Sequence, residues 1–267
     1  MTTTSANINI GLLLHDVTDD FSSSGFQQPT AQRYKHSVAQ FVQYLDDVEL
    51  TGLPVVTPQA AHSVSGRPVV TFTFDDGGAS APVAAELLEE RGWRGVFFVT
   101  TDLLNRPGFM SSLQVQNLRR RGHVIGSHSC SHPDVFRSLS RRQMAEEWIR
   151  SRDVLQQLLG EPIHTASIPG GDCSNATIEE ASAAGLTQIF TSEQITHSWS
   201  QAGATCFGRM MMLDNTSRDT LNRWLTHPTV GILPERALRF TKSHIKKLMG
   251  PLYLQLVRQR RAMHEQG

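Results

Sequence analysis

Cysteine is scarce in this 267-residue chain: Cys130, Cys173 and Cys206 are the three, far apart and without a C-x-x-C pair. That excludes a disulfide framework and a cysteine zinc knuckle, and it suits a reducing compartment. Excess charge is missing too. With 25 Lys and Arg against 25 Asp and Glu, no global basic field exists to draw a polyanion, and no nucleic-acid partner is expected. Apolar runs of membrane-spanning length are absent. The opening MTTTSANINIGLLLHDV has no basic n-region, and His15 and Asp16 break its short apolar run. The expectation is a soluble, cytoplasmic protein without a secretory signal. What the chain does have is apolar residues at 39% of its positions, enough to bury one large core.

Short β-rich runs alternate with helical patterns. NIGLLLH (9 to 15) reads as a strand, and Val38, Phe41, Val42 and Leu45 mark one helix face within 34 to 48. VVTFTFD (69 to 75) is a strand followed by a helix over about 80 to 91 that ends at Gly92. GVFFVT, a helix closed by Gly122, and HVIGSH continue the rhythm. SRRQ at 140 to 143 has the form of a capping box, opening a helix that Gly160 ends. HTASI, a helix opening near NATIEE and the run LTQIFT complete it. Such βα units predict a parallel sheet, closed as a barrel or open and doubly wound. In either case reactive groups gather at the carboxyl ends of strands, where His15, Asp75, Asp76, His128 and the IPGG stretch fall.

Asp75 and Asp76 stand side by side at the end of a strand. One reading makes them a helix cap and an Asp-Gly turn. The other notes that two adjacent carboxylates repel when ionised, a cost that a bound cation removes. GSHSCSHPD (126 to 134) offers further ligands: His128 and His132 are spaced so that both imidazoles can face one ion. As an alternative they are two histidines of a Ser-rich loop. Two His and one carboxylate make a hydrolytic metal site with positions left for water and substrate. Cys130, between the histidines, reads as a small buried filler.

TFDDG at 73 to 77 followed by SHSCSHP at 127 to 133 resembles the first two motifs of the polysaccharide deacetylases, carbohydrate esterase family four or NodB-homology domain. The resemblance covers roughly residues 8 to 210 and implies an α/β fold, a distorted (β/α)7 barrel. It implies Asp75 as catalytic base and Asp76, His128 and His132 as ligands of a divalent metal, usually zinc, with other divalent transition metals open. In the family's third motif, R-x-P-x-G, Pro169 and Gly171 match SIPGG, and Pro169 and Gly170 would line the pocket, a backbone N–H near Gly170 helping to hold an oxyanion. Ser167 stands where an arginine usually pairs with the base, and Arg209 in FGRM is a candidate substitute. The last motif places an acid histidine in an L-x-H context. WLTHP offers His227 in a poor setting, while LLLHD offers His15 at the opposite end of the chain, as in an exopolysaccharide de-N-acetylase branch with a permuted motif. First and last strands adjoin in a closed barrel, so His15 is the expected general acid.

These implications add up to a metal-dependent hydrolase that removes acetyl groups, N-acetyl first, from an amino sugar in a glycan or glycan precursor. Alternatives are an O-acetyl esterase, an amidase acting on a non-sugar C–N bond, and a non-catalytic relative that binds a saccharide or partner. Residues 1 to 233 would form the catalytic domain and 234 to 267 a basic amphipathic helical extension, with eight Lys or Arg against two Glu over the final PERAL…EQG stretch. That segment reads as a helix packed on the barrel, or as contact with the inner membrane face or a glycan-assembly partner. Met210 to Met212 read as a core strand or an acceptor groove, and Trp93, Trp148 and Trp199 as core anchors or sugar platforms.

Overall fold

The computed structural model describes residues 8–61, 64, 66–171 and 173–234. In chain order the elements are β1 (Asn9–Leu14), β2 (Asp16–Val17), β3 (Lys35–His36), α1 (Val38–Leu50), α2 (Pro58–Ala61), β4 (Val69–Phe74), α3 (Ala81–Glu89), β5 (Val96–Val99), α4 (Ser112–Arg120), β6 (Val124–Ser127), α5 (Arg141–Leu159), β7 (Thr165–Ser167), α6 (Asn175–Ala183), β8 (Gln188–Phe190), β9 (Trp199–Gln201), β10 (Ala204–Phe207), β11 (Met210–Met211) and α7 (Arg218–Thr226). Nine strands make one sheet in the order β11-β1-β4-β5-β6-β7-β8-β10-β9. Every pairing in it is parallel except the terminal β9–β10 pair. The distorted barrel expected from the sequence is thus a curled, parallel-dominated sheet with helices packed on it. No helix among the described residues is long and apolar enough to cross a membrane.

Local chemistry explains most boundaries. All six residues of VVTFTF are buried, as a parallel strand covered on both faces requires. Helix α1 starts at Val38, where the apolar period itself begins within the 34 to 48 span, because Ser37 accepts from Gln40 N as its N-cap and Lys35–His36 pair with Asp16–Val17 in a separate small sheet. The capping box at 140 to 143 is formed in both directions: Gln143 N donates to Ser140 Oγ and Ser140 N to Gln143 Oε1. Gly160, at φ 68°, closes that helix in the left-handed conformation.

Two features of the packing position the site. The first is the neighbourhood of β1, which lies between β4 and β11, so that a strand from each end of the described chain shares one edge. Met210 and Met212 are fully buried there, which makes this a core strand and not a groove. The second is a separate apolar cluster of Val96, Phe98, Phe190 and Phe207, whose rings meet at 5.3 Å (Phe98–Phe190) and 4.8 Å (Phe190–Phe207). It floors the site described below. Trp148 is buried against Phe136, and Trp93 stacks on Phe72, as core anchors do. The basic C-terminal extension expected over 234 to 267 falls, from residue 235 on, outside the described residues.

Candidate active site and metal centre

β1 ends at Leu14 and β4 at Phe74, and Asp75 N donates to Leu14 O at 3.0 Å. The parallel register of these strands therefore delivers His15 and the Asp75–Asp76 pair to the same edge. β6 delivers His128 to that edge, and His128 N donates to Val99 O at the end of β5. A loop then turns back to present His132.

Asp76, His128 and His132 form one cluster whose ligand atoms all lie within 4.8 Å of one another. Asp76 Oδ1 is 3.3 Å from His128 Nε2 and 3.4 Å from His132 Nε2. Tetrahedral zinc with bonds of ~2.0–2.1 Å has ligand-to-ligand edges of about 3.3–3.4 Å, the spacing of Asp76 from each of the two imidazoles. Among the described residues, Asp76 Oδ1 is also buried without a hydrogen-bond partner, a costly state for a carboxylate oxygen unless a cation completes it. His128 Nδ1 lies 2.9 Å from Ser167 O. A carbonyl there fixes the proton on Nδ1 and leaves the Nε2 lone pair for metal. The donor set fits a divalent transition metal. Asp76 and His132 hold positive φ of 74° and 55°, a conformation that non-glycine residues keep only when their surroundings enforce it, as at functional sites.

Asp75 is 5% exposed and takes no place in that cluster. It is gripped by Arg209, whose Nη1 donates to Oδ1 at 2.7 Å and Nη2 to Oδ2 at 2.9 Å. Arg209 is fully buried. Its remaining donors reach Thr191 O, Thr73 Oγ1 and Ser167 Oγ, and its guanidinium lies 5.6 and 5.8 Å from the centroids of Phe98 and Phe190. Ser167 in turn donates to Asp75 Oδ2 at 3.0 Å. The position expected to carry an arginine therefore holds a hydroxyl that completes the grip of an arginine from the other side, entering just before β11. Burial pushes the Asp75 carboxyl up, but the charge and hydrogen bonds of Arg209, with His128, outweigh it and hold the group below its ordinary value. Asp76 is likewise held well below the carboxylate range, burial being outweighed by His15, His128 and His132. His128 is raised despite its burial by the two aspartates, whereas burial lowers His132.

His15 follows directly on β1 at the same strand-end edge as Asp75 and Asp76, with Nδ1 buried and its ring 4.8 Å from that of Tyr34. The rival, His227, is exposed at the end of α7 beside Pro228, whose carbonyl accepts from Thr196. Thr196 O also accepts from Asn9 N, at the start of β1, so His227 belongs to the opposite edge of the sheet. Pro169 and Gly170 follow β7 in a tight 3-10 turn, Pro169 buried and Gly170 exposed at φ 62°. They stand at the right edge, although among the described residues no hydrogen bond joins Gly170 to the cluster. Cys130 is buried, its thiol pushed up by burial, with Sγ 3.6 Å from Thr101 Oγ1. It is a filler, not a ligand.

Sequence reasoning missed the loop that roofs the site. Asp16 is buried, raised by that burial, and accepts from Ser24 and Ser80. Lys35 Nζ donates to Phe21 O and Ser24 O. A Cβ on Gly25 or Gly78 would lie 1.9 or 2.1 Å from the Asp16 carboxylate, so only glycine permits this approach. The knot brings Phe26 to 5.0 Å from the His132 ring and 5.2 Å from Phe109.

A family model described as polysaccharide deacetylase matches residues 62–189. That span holds Asp75, Asp76, His128, His132 and Ser167, but neither His15 nor Arg209. Chitin deacetylase of Colletotrichum lindemuthianum is 31% identical over 85 residues, 31% of this chain and 34% of that protein, so the match spans about a third of the relative's length. Streptococcus pyogenes deacetylase PplD, solved in complex with acetate, superposes with a TM-score of 0.67 at 19% identity, over 80% of this chain and 96% of that one. IcaB from Ammonifex degensii gives 0.66 at 22% identity, over 82% and 97%, and the de-N-acetylase of Aggregatibacter actinomycetemcomitans 0.64 at 20%, over 79% and 97%. At these identities the three likenesses establish the fold.

Proposed function

We propose that this chain, matched over residues 62–189 by the polysaccharide deacetylase family model, is a metal-dependent hydrolase of that family releasing acetate from an N-acetylated amino sugar in a glycan or glycan precursor. The observation that carries the reading is the division of labour between adjacent carboxylates. Asp76 Oδ1 sits at ligand spacing from two imidazoles, while Asp75 Oδ2 lies 4.0 Å from His128 Nε2 and outside the cluster. When bound by Asp76, His128 and His132, a divalent cation supplies Lewis acidity toward a carbonyl and makes water a stronger acid.

The chain's own groups do the rest. Asp75 is kept ionised by Arg209, so its Oδ2 can accept the proton of the attacking water. His15 protonates the departing nitrogen, without which an amine anion would have to leave. Arg209 holds Asp75 in one orientation through its two-pronged contact, and the loop carrying Phe26 and Tyr34 walls the pocket. A backbone donor near Gly170 would assist as negative charge develops on the carbonyl oxygen. Ser167 in place of the family's arginine would favour a non-catalytic binder, whereas the two-pronged contact of Arg209 with Asp75 supports the catalytic reading.

The test is acetate release from chitin oligosaccharides and other N-acetylated amino sugars, with the protein stripped by chelator and then reloaded with zinc or cobalt. Release that disappears on stripping and returns on reloading supports the reading. No release from any substrate with metal stoichiometrically bound favours a binding relative.

A further inference from the structure

The His128–His132 turn has an unusual backbone. Ser129 and His132 both have positive φ, 63° and 55°, and strained conformations of this kind persist only where neighbours over-determine them. Within the turn, Ser129 N donates to Ser127 Oγ and His132 N to Ser129 Oγ. Those bonds are local and would form in many arrangements. The outside constraint on its N–H groups at 130 and 131 comes from one side chain on α5. Glu147 Oε2 accepts from Cys130 N and from Ser131 N, both at 2.9 Å, and Glu147 Oε1 accepts from Ser131 Oγ at 2.7 Å. Two successive backbone N–H groups converging on one oxygen form an anion nest, here occupied by the protein's own carboxylate. From the other side, Asp102 N donates to Cys130 O and Thr101 N to Ser129 O. α5 is itself fixed at this level, because Ser151, one turn on, accepts from Ser127 Oγ at 2.8 Å.

We propose that Glu147 is a positioning residue for the metal: its carboxylate clamps the turn so that His132 Nε2 stands at ligand distance from Asp76 and His128. This rests on the metal-dependent reading above. Without the clamp the turn can relax toward ordinary φ values, and His132, the ligand carried furthest beyond a strand end, drifts from the other two. Glu147 is outside the Asp76, His128 and His132 ligand set, so its effect is on the affinity and geometry of the site.

The experiment is competition of the folded full chain with a chromophoric chelator for zinc, together with the visible spectrum of the cobalt-loaded protein. Glu147→Ala is expected to weaken zinc binding roughly 10- to 100-fold, the range seen when supporting partners of metal ligands are removed, and to alter the cobalt spectrum. Glu147→Gln keeps an amide oxygen for the two N–H groups and should retain affinity within about threefold by that argument. Leu155→Ala, a buried change two turns along α5, controls for destabilisation and should leave affinity unchanged. Should Glu147→Ala fail to fold, Glu147→Asp, whose carboxylate is one methylene short of the turn, takes its place with the same expected loss. Zinc affinity within twofold of wild type in the folded variant, or an equal loss in Leu155→Ala, would overturn the clamp while leaving the metal reading intact. A wild-type chain that binds no zinc would overturn both.

Discussion

Replacing Arg209 by methionine removes five hydrogen bonds and the guanidinium paired with the buried Asp75 carboxylate. Breaking one side of a buried pair costs about 3–5 kcal/mol, most of it the penalty of leaving the other charge unpaired. The carboxyl has a way to lower that cost, which is to take up a proton, since burial alone raises it and Arg209 is the chief influence holding it down. Both outcomes disable a general base. About 3 kcal/mol lost from the catalytically competent state corresponds to roughly a 100-fold fall in kcat/KM near pH 7. The sign of the pH effect follows. In the wild type, Asp75 stays ionised to below its ordinary value, so the acid limb of the rate profile should not begin in the neutral range. In Arg209→Met that limb should move to higher pH, and raising the pH should recover part of the activity. Arg209→Lys keeps a charge but not the fork, and should fall between them. The assay is acetate release across pH 5 to 9 with saturating zinc. A variant with kcat/KM within fivefold of wild type and an unmoved acid limb would refute the assignment of Arg209 to the base.

Three further outcomes are expected. Asp76→Asn should fold yet lose most of its zinc, because the amide cannot supply the anionic ligand whose oxygen is otherwise unsatisfied; metal analysis after gel filtration reads this directly, and full zinc occupancy would contradict it. His15→Gln should depress cleavage of an N-acetyl amide far more than that of an O-acetyl ester, by about tenfold or more in their ratio, since an alkoxide leaves without the acid that an amine requires; an unchanged ratio would remove His15 from the acid role. His123, buried and lowered by that burial, accepts from Gly95 N through Nδ1 and faces Glu89 Oε1 through Nε2 at 2.7 Å. Its folded value lies below the unfolded one of about 6.5, so the stability it contributes is complete above that pH and is lost as the pH falls through the folded value. The gap in thermal midpoint between wild type and His123→Gln should therefore narrow from pH 8 to pH 5, and a gap that widens would contradict it.

How far the sequence could be read depended on how local each feature is. His15, Asp75, Asp76 and His128 were legible because each lies at the end of a run whose apolar pattern marks it as a strand, and parallel strands bring their carboxyl ends together. Arg209 was nameable as a candidate but not assignable: its partner is distant in the chain, and the pairing of β11 with β1 that brings them together leaves little trace in two-residue strands. Ser167 looked like a loss and is a contact, which only the position of Arg209 reveals. The Asp16 knot and the Glu147 clamp rest on side chains meeting backbone groups across separate elements, and no periodicity records such meetings. A sequence signal did exist for the knot, in Gly25 and Gly78, but a glycine announces a close approach without naming what approaches.

Metal holding and proton transfer are divided in this proposal between two neighbouring aspartates, and Asp75→Asn measures that division. Zinc content and acetate release would be determined together on wild type and variant, using the same N-acetylated oligosaccharides. One zinc per chain is expected in both proteins, with acetate release reduced at least about 100-fold in the variant alone, as removal of a general base implies. Loss of zinc along with activity would contradict it by making Asp75 a ligand, and undiminished release would contradict it by making another group the base.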